Sequence, residues 1–483
     1  MVLVAATAAV TAAASAAASG TMGATTARAA SQPAAPRGTT SVSAALTPAE
    51  LAQAAYDRMT PAQRIGQLFM VGGSVTGLGS ATGSAISTYH VGNLMLTART
   101  ASGAAPVRAV TSGADRLTTS AATSGVPLFI ATDQEGGYVQ VLKGPGFSAM
   151  PTALTQGGWA GPTLTSQASA WGYQVFRAGV DVDLAPVLDT VPAALGAGNP
   201  PIGHYYREYG YTPAVVADKG YAFYRGMQFS GLAMTAKHFP GLGHVTANTD
   251  TTAGVRDTVT TRTSPDITPF RLAVSGGMPF LMVSSAIYTQ IDASQPALFS
   301  STVVTGMVRG DLGFNGIVIT DDVGSARQVA GWSPGSRAVY FLAAGGDVVL
   351  TVDPTIIPSM IGVVTVRAAG DPALQAKINA AALRVLTVKA TFGLLGGRLP
   401  TDGVFLRPTV RSLQRWLGVA QTGLLDQVSV RALQGRIGTT ADGQWGAASM
   451  AAMQSYLGAT RDGARTWNAR TVALLQAYLN TQL

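Results

Sequence analysis

Residues 232–250, LAMTAKHFPGLGHVTANTD, decide the fold of this chain. The stretch begins with an apolar run at 232–236 that has the length and composition of a buried strand. Lys237 and His238 end the run, and a loop rich in Gly and Pro follows, through which no helix or strand continues easily. Polar groups at the end of a buried strand, before a long loop, are typical of a catalytic edge. From these residues alone, a turn with a core histidine stays open as the alternative.

Similar apolar runs recur along the chain, and helix-like segments such as 163–179, 213–229 and 300–312 separate them. The predicted strands are 68–72, 92–96, 128–132, 182–187, 232–237, 280–284, 317–320 and 348–351. Strands that alternate with helices over about 350 residues predict an α/β protein with a (β/α)8 TIM-type barrel. A doubly wound open sheet is the alternative, but no G-x-G-x-x-G follows an early strand to support a nucleotide site.

The chain before the barrel divides into two segments. Residues 1–29 are mostly small and apolar and resemble a secretory signal, with a membrane anchor as the weaker alternative. Residues 30–45, rich in Ser, Thr, Pro and Ala, predict a linker. The barrel domain is expected at 46–396, beginning with a helix that Thr47 caps and Pro48 starts. We therefore expect a secreted or cell-wall-associated protein without a stable membrane span in its mature form.

Composition narrows the possible chemistry. The chain has no Cys, which excludes disulfides and thiolate metal sites, and only four His, which argues against a His-rich metal cluster. Its formal net charge is +8, without a Lys/Arg block of the kind that binds nucleic acid. We expect no metal, no organic cofactor and no nucleic-acid partner, and an acidic cell envelope as the surroundings.

Candidate catalytic groups follow the predicted strands. Asp133-Gln134-Glu135 follows the third strand, Asp189 the fourth, Lys237-His238 the fifth and Asp321-Asp322 the seventh. Any one of these could be a helix cap. In a (β/α)8 barrel, however, the carboxyl ends of all strands meet at one face, so the four groups together predict an active site there.

Six motifs occur in order along the chain. They are IGQLFMVG (65–72), ATDQEGG (131–137), VDLAPVLD (182–189), NPPIG…REYG (199–210), KHFPGLG (237–243) and GFNGIVITDDV (313–323). As an ordered set they resemble the β-N-acetylglucosaminidase (β-N-acetylhexosaminidase) branch of the family 3 glycoside hydrolases, over about residues 50–395. The resemblance implies a glycan substrate and a retaining mechanism with a covalent glycosyl-enzyme intermediate.

The resemblance also assigns residue roles. Asp321 matches the family's nucleophile, with Asp322 beside it as the weaker candidate. Asp133, Lys237 and His238 match residues that hold the sugar. Arg207 matches a sugar-binding arginine, although two extra residues precede it here.

Two positions depart from the family pattern. The chain continues the DQEGG motif with Tyr138, where the family usually has sugar-contacting arginines. In the loop after the fifth strand the family has Asp-Ser-His, whose His is the acid/base, and this chain has Asn-Thr-Asp at 248–250. We expect Asp250 to be the acid/base, because a carboxylic acid is the usual proton donor in glycosidases. His244, on the same loop, is the second candidate, and a loop with no acid/base is the third.

Residues 404–483 form a repeat. Leu/Met-Gln pairs recur at 413–414, 433–434, 453–454 and 475–476, with Gly423, Gly443 and Gly463 between them. Eight Arg stand against three Asp in this segment. The pattern predicts a small all-α repeat domain that resembles peptidoglycan-binding modules, with a stabilising helical appendage as the alternative.

These features lead to one expected function. The chain is expected to be an exported, retaining exo-β-N-acetylglucosaminidase that removes terminal β-linked N-acetylglucosamine from cell-wall-derived glycans, and the repeats are expected to bind peptidoglycan or cell wall. A β-glucosidase or β-xylosidase of the same family is one alternative. A catalytically inactive wall-binding protein, suggested by the missing acid/base His, is the other.

Overall fold

The computed structural model describes residues 46–396, 399, 401, 403, 405, 407–419, 421, 423 and 425–482. Among them, eight parallel strands form one sheet. We number these strands β1 Phe69–Ser74, β2 Asn93–Thr97, β3 Phe129–Thr132, β4 Val182–Asp183, β5 Ala233–Phe239, β6 Phe280–Val283, β7 Ile317–Thr320 and β8 Val349–Thr351. Their spatial order is β7-β6-β5-β4-β3-β2-β1-β8, and a bridge between Ile319 and Val348 closes the ring. The predicted (β/α)8 barrel is confirmed.

Helices surround the barrel and alternate with its strands. They are α1 Pro48–Arg58, α2 Pro61–Gly66, α3 Gly79–Ser87, α4 Ala104–Asp115, α5 Ser120–Thr123, α6 Ala153–Gly157, α7 Gly161–Arg177, α8 Pro213–Gln228, α9 Thr268–Ser275, α10 Pro334–Ala344, α11 Ile357–Gly370 and α12 Pro372–Thr391. The predicted start of α1 is confirmed, because Thr47 and Glu50 each accept a hydrogen bond from the other's backbone N–H.

Several strand ends shift by one or two residues, as β1 does in ending at Ser74, and three further differences bear on the site or on the type of helix. β4 ends at Asp183 rather than at residue 187, because Pro186 has no N–H to donate and interrupts the regular ladder, although the carbonyl oxygens of Ala185 and Pro186 still accept hydrogen bonds from β5. β5 runs two residues past its predicted end, so His238 belongs to the strand. Thr302–Asp311, within the predicted helix 300–312, is a π-helix, and the Leu312 N–H after it donates to the Met307 carbonyl, five residues back.

Apolar side chains and α12 close the amino-terminal end of the barrel. Inside, the rings of Phe129 and Phe280 meet edge to face at 5.4 Å. The buried Lys389 amine on α12 donates to Gln67 Oε1, Gly92 O and Pro127 O, each at 2.8 Å. These acceptors lie just before β1, β2 and β3. The opposite, carboxyl end of the strands therefore holds the cavity.

The carboxyl-terminal region is helical, as predicted. The described part of residues 407–482 contains four helices, α13 Arg407–Leu417, α14 Gln427–Arg436, α15 Ala447–Tyr456 and α16 Ala469–Gln482. The repeated glutamines join consecutive units: Gln434 Nε2, for example, donates to Ser449 Oγ at 3.0 Å. Gln476 Nε2 donates back to Thr409 Oγ1 at 3.1 Å, so the last unit pairs with the first and the repeats form a closed ring.

The predictions for residues 1–29 and 30–45 lie outside the described residues. In the part of the chain that the structure covers, no helix has both the length and the apolar character required to cross a bilayer. The predicted domain boundaries at 46–396 and 404–483 stay predictions.

Candidate active site

A cavity of about 630 Å³ opens at the carboxyl end of the barrel strands. All six site residues predicted from the sequence line it: Asp133, Arg207, Lys237, His238, Asp250 and Asp321. They come from the loops after β3, β4, β5 and β7 and from the end of β5 itself. The barrel thus brings together residues that are up to 188 positions apart in the sequence.

A buried network of charges forms the base of the cavity. Lys237 Nζ lies 2.6 Å from Asp133 Oδ1 and 2.6 Å from Glu135 Oε1. Arg207 donates to both oxygens of Glu135, from Nε at 2.9 Å and from Nη2 at 2.8 Å. The Lys237 and Glu135 side chains are only 3% and 4% exposed, whereas Asp133 is 19% exposed. Asp133 is therefore the carboxylate of this network that is most open to a bound ligand.

Glu135 holds the two cations in place. Burial alone would raise the pKa of its carboxyl, but the charges of Arg207 and Lys237 outweigh burial and lower the pKa to about 2. Glu135 stays ionised at every working pH and orients both cations. Glu135 was among the candidate groups after the third strand but had no predicted role, although its position in the DQEGG motif, two residues from Asp133, was a signal that the two side chains share a site.

Asp183 lies beneath this network at the end of β4. Its Oδ1 accepts a hydrogen bond from the Gln134 N–H at 2.9 Å, and no other described residue bonds to its Oδ2. Burial raises the pKa of Asp183 to about 8, against the hydrogen bond from Gln134 and the charge of Lys237. The carboxyl is thus mostly protonated at neutral pH, which adds no further negative charge to the base of the cavity.

A second carboxylate orients His238. Asp189 Oδ2 lies 2.7 Å from His238 Nδ1, and its Oδ1 accepts the backbone N–H groups of His238 at 3.2 Å and Leu242 at 2.8 Å. An ionised carboxylate only accepts hydrogen bonds, so the proton of a neutral His238 ring is on Nδ1. This arrangement leaves Nε2 for a ligand in the cavity. Asp189, named in the sequence only as a strand-end acid, is therefore a positioning residue.

The two adjacent aspartates after β7 have different surroundings. Asp322 accepts three backbone hydrogen bonds at 2.9 Å, from Gly324, Ser325 and Val352, which hold its carboxylate against the protein. Asp321 accepts one from the Asp322 N–H at 2.8 Å. Both are partly exposed and line the cavity. The geometry favours Asp321 as the reactive carboxylate and gives Asp322 a structural role.

Asp250 lies on the long loop after β5. Asn199 anchors the first part of this loop, because its Nδ2 donates to the carbonyl oxygens of Leu242, Gly243 and Val245 at 2.9 to 3.2 Å. Burial among protein atoms, followed by the negative charge of Asp321, raises the pKa of Asp250. The side chain remains open to solvent in the cavity, so the burial contribution is partial until a ligand displaces water.

His244 lies apart from this group. His244 is not among the described residues that line the cavity. Its Nε2 instead lies 3.5 Å from Asp266 Oδ2, and the hydrogen bond to Asp266 raises the pKa of the imidazole. Its contact with Asp266 assigns it to the packing of the loop.

The fold and the cavity define the class of the protein as a glycoside hydrolase. Carboxylates on two facing loops are the catalytic groups of such enzymes, and the charged network beneath them offers hydrogen bonds for sugar hydroxyls.

Comparisons with known proteins agree with this class. The model of the glycosyl hydrolase family 3 N-terminal domain matches residues 60–388. A β-hexosaminidase of Stenotrophomonas maltophilia (strain K279a) is 36% identical over 267 residues, which are 53% of this chain and 76% of the relative. The crystal structure of a β-N-acetylhexosaminidase from Beutenbergia cavernae superposes with a TM-score of 0.68 at 46% identity, covering 69% of this chain and 99% of the other.

A more distant structure, a family 3 β-N-acetylglucosaminidase from a Paenibacillus species, has a TM-score of 0.62 at 27% identity and covers 71% of this chain and 64% of that one. The chain belongs to glycosyl hydrolase family 3. The resemblance to the β-N-acetylhexosaminidase branch is confirmed over the barrel, and the match leaves the carboxyl-terminal repeats outside it.

Proposed function

We propose that this protein is a retaining exo-β-N-acetylglucosaminidase with Asp321 as nucleophile and Asp250 as acid/base. The observation that carries the proposal is that both carboxylates line one cavity above the network of Asp133, Lys237 and Arg207. The similarity to a β-hexosaminidase and to a β-N-acetylhexosaminidase supports the choice of an N-acetylhexosamine as the sugar.

The proposed reaction has two steps, formation of a glycosyl ester and its hydrolysis. Asp321 attacks the anomeric carbon as the bond to the glycosidic oxygen breaks, and Asp250 gives its proton to that oxygen. The leaving group departs as an alcohol, and a glycosyl ester remains on Asp321. A water molecule then attacks the same carbon, Asp250 takes its proton, and the ester bond breaks to restore the Asp321 carboxylate. Two inversions at one carbon retain its configuration.

The electrostatic coupling of the two carboxyl groups suits both steps. Burial, followed by the negative charge of Asp321, raises the pKa of Asp250, which favours the protonated form that a general acid requires. Formation of the ester neutralises Asp321 and removes this contribution. The pKa of Asp250 then falls, and the same group becomes the base that the second step requires.

Location and anchoring form the second part of the proposal. The small, apolar residues 1–29 support export, and the Arg-rich repeat ring supports attachment to an anionic cell wall near the substrate. We place the enzyme outside the cytoplasm, where it acts on glycans derived from the wall.

A panel of aryl β-glycosides tests the proposed activity. The enzyme should cleave the N-acetylglucosaminide at least about tenfold faster than the glucoside and the xyloside, because the site must contact the 2-acetamido group. Preference for glucoside or xyloside would assign the alternative activities. Absence of turnover on all three, in a protein with a folded circular dichroism spectrum, would instead favour the inactive wall-binding protein.

A further inference from the structure

Beyond the sugar-binding base of the cavity, we propose that Tyr138 and Tyr205 form an aromatic platform that binds the first sugar of the leaving group. This inference rests on the proposed function. It concerns the mouth of the cavity, where this chain has Tyr138 in place of the arginine that the family pattern has after DQEGG.

Both side chains are exposed at the cavity mouth. Tyr138 is 56% exposed and Tyr205 is 39% exposed, and both line the cavity. Their rings contact each other with centroids 6.1 Å apart at an interplanar angle of 65°. The Tyr206 ring, 40% exposed, also lies next to Tyr138, with ring centroids 6.4 Å apart. The three tyrosines form a continuous aromatic surface beside a cavity whose base is charged.

Hydrogen bonds order the backbone that carries these rings. The Arg99 guanidinium donates a hydrogen bond to the Tyr138 carbonyl oxygen. Tyr206 has a φ of 54°, a left-handed conformation that a bulky residue seldom adopts. The Leu154 N–H donates to the Tyr206 carbonyl oxygen at 3.2 Å and secures this turn. A rigid aromatic surface loses little conformational entropy when a ligand stacks on it.

The position of the platform identifies its ligand. The Lys237 and Glu135 side chains at the base of the cavity are only 3% and 4% exposed, so we expect a sugar held there to be the terminal residue of the glycan. The sugar at the non-reducing end therefore enters first, and the rest of the glycan leaves through the mouth. Exposed groups at the mouth contact only the leaving group.

Aromatic rings suit a sugar leaving group. The face of an aromatic ring carries partial negative charge, and it attracts the weakly positive C–H groups on the flat face of a pyranose. A contact of this kind typically changes affinity by about three- to tenfold. The ligand we assign is a β-linked hexosamine at the reducing side of the scissile bond.

Kinetics with N,N′-diacetylchitobiose test the platform. Tyr138→Ala and Tyr205→Ala should each lower kcat/KM for this disaccharide by about three- to tenfold. The inhibition constant of free N-acetylglucosamine, which occupies only the base, should change less than about twofold. Tyr138→Phe, which keeps the ring, should recover most of the loss. Tyr211→Ala is the matched control, because Tyr211 is similarly exposed, at 42%, but is absent from the described lining.

The outcomes separate the two proposals. If the wild-type enzyme cleaves chitobiose and Tyr138→Ala does so within twofold of it, the platform is wrong and the proposed function stands. Equal losses for chitobiose and for N-acetylglucosamine binding would also overturn the platform, since the tyrosines would then act on the inner sugar. A wild-type enzyme that cleaves no N-acetylglucosaminide would overturn both.

Discussion

The Arg327 backbone N–H donates a hydrogen bond of 3.1 Å to the carbonyl oxygen of Asp250. A second hydrogen bond joins the neighbouring residues: the Gln328 N–H donates to the Thr249 carbonyl oxygen at 3.0 Å. The loop after β5, which carries Asp250, is therefore docked on the loop after β7, which begins with Asp321. Retention requires carboxyl groups only about 5–5.5 Å apart. Backbone hydrogen bonds between the two loops can hold such a separation more firmly than side-chain contacts alone.

Asp321→Asn should reduce turnover by about 10³-fold or more, because a neutral amide is too weak a nucleophile to form the glycosyl ester. Activity, circular dichroism and thermal unfolding should be measured on the same preparation. A folded variant that keeps near wild-type rates would remove Asp321 from the nucleophile's role.

Asp250→Ala should slow substrates with poor leaving groups far more than substrates with activated ones. An activated phenolate departs without much protonation, whereas a sugar alkoxide requires a proton, and general acid catalysis contributes about 10²–10⁴-fold. Chitobiose and a 4-methylumbelliferyl substrate provide the comparison. Azide, which requires no deprotonation, should restore the rate of the variant on the activated substrate and yield a β-glycosyl azide.

His244→Ala is the control for this experiment, since His244 lies on the same loop but contacts Asp266. It should show neither the leaving-group dependence nor the azide effect. Similar losses on both substrates in Asp250→Ala, without azide rescue, would mean that Asp250 only shapes the loop.

Glu135→Gln should destabilise the protein and weaken sugar binding together. The substitution removes the negative charge between Lys237 and Arg207, and breaking a buried ion pair typically costs about 3–5 kcal/mol. Urea denaturation should therefore show a clear loss in the free energy of unfolding, and KM should rise. Asp311→Asn is the control, because the Arg262–Asp311 pair is also bidentate but exposed and should matter much less. Equal losses in both variants would contradict the assigned role of Glu135.

Asp183→Asn should flatten the dependence of stability on pH. The pKa of Asp183 is about 8 in the folded protein, against an ordinary value of 3.8. Between these values the folded protein keeps a proton that the unfolded chain releases, so Asp183 makes stability fall as pH rises, by at most about 1.4 kcal/mol per pH unit. Asn cannot ionise and removes this contribution.

The free energy of unfolding should be measured for the wild type and for Asp183→Asn between about pH 5.5 and 7.5. This window of about two pH units lies between the folded and unfolded pKa values of Asp183. The lowered pKa of Glu135 affects stability only at lower pH, below its ordinary value of 4.5. If the difference between wild type and variant is constant across the window, Asp183 is ionised in the folded protein.

Deletion of residues 404–483 should leave aryl-glycoside turnover within about twofold of the full chain, since every described residue that lines the cavity lies between Met95 and Val352. Sedimentation with insoluble cell wall should fall sharply, because the segment carries eight Arg against three Asp. A truncated protein that sediments as well as the full chain would show that the repeats do not anchor the enzyme.

Short-range patterns were sufficient to predict the barrel. Each strand is a short, continuous apolar run between polar loops, since a strand buried on both faces by helices and by the barrel interior has little room for polar side chains. The rule that parallel strands share a carboxyl end then placed Asp133, Lys237 and Asp321 at one face. The predicted strand bounds were wrong where one residue overrides the apolar pattern, as Pro186 does after β4.

In the repeat region, too, the sequence predicted the local elements and the fold decided how they are arranged. The spacing of Leu-Gln pairs predicted a series of helices, and the structure has them. The bond from Gln476 to Thr409 joins residues 67 positions apart, and only the folded chain determines that the series closes into a ring.

The amino-acid sequence by itself determined the architecture of this protein, the face that carries the site and the chemical types of the groups there. Only the tertiary structure distinguished candidates that lie close together in the sequence, such as Asp321 and Asp322, because it showed which groups surround each one. Three backbone N–H groups bond to the Asp322 carboxylate and one bonds to Asp321, Asp266 contacts His244, and Arg207 lies 72 positions from the Glu135 that it pairs with. These differences arise from distant residues that meet only in the fold, and a carboxylate's charge, pKa and accessibility depend on what lies within a few ångströms of it.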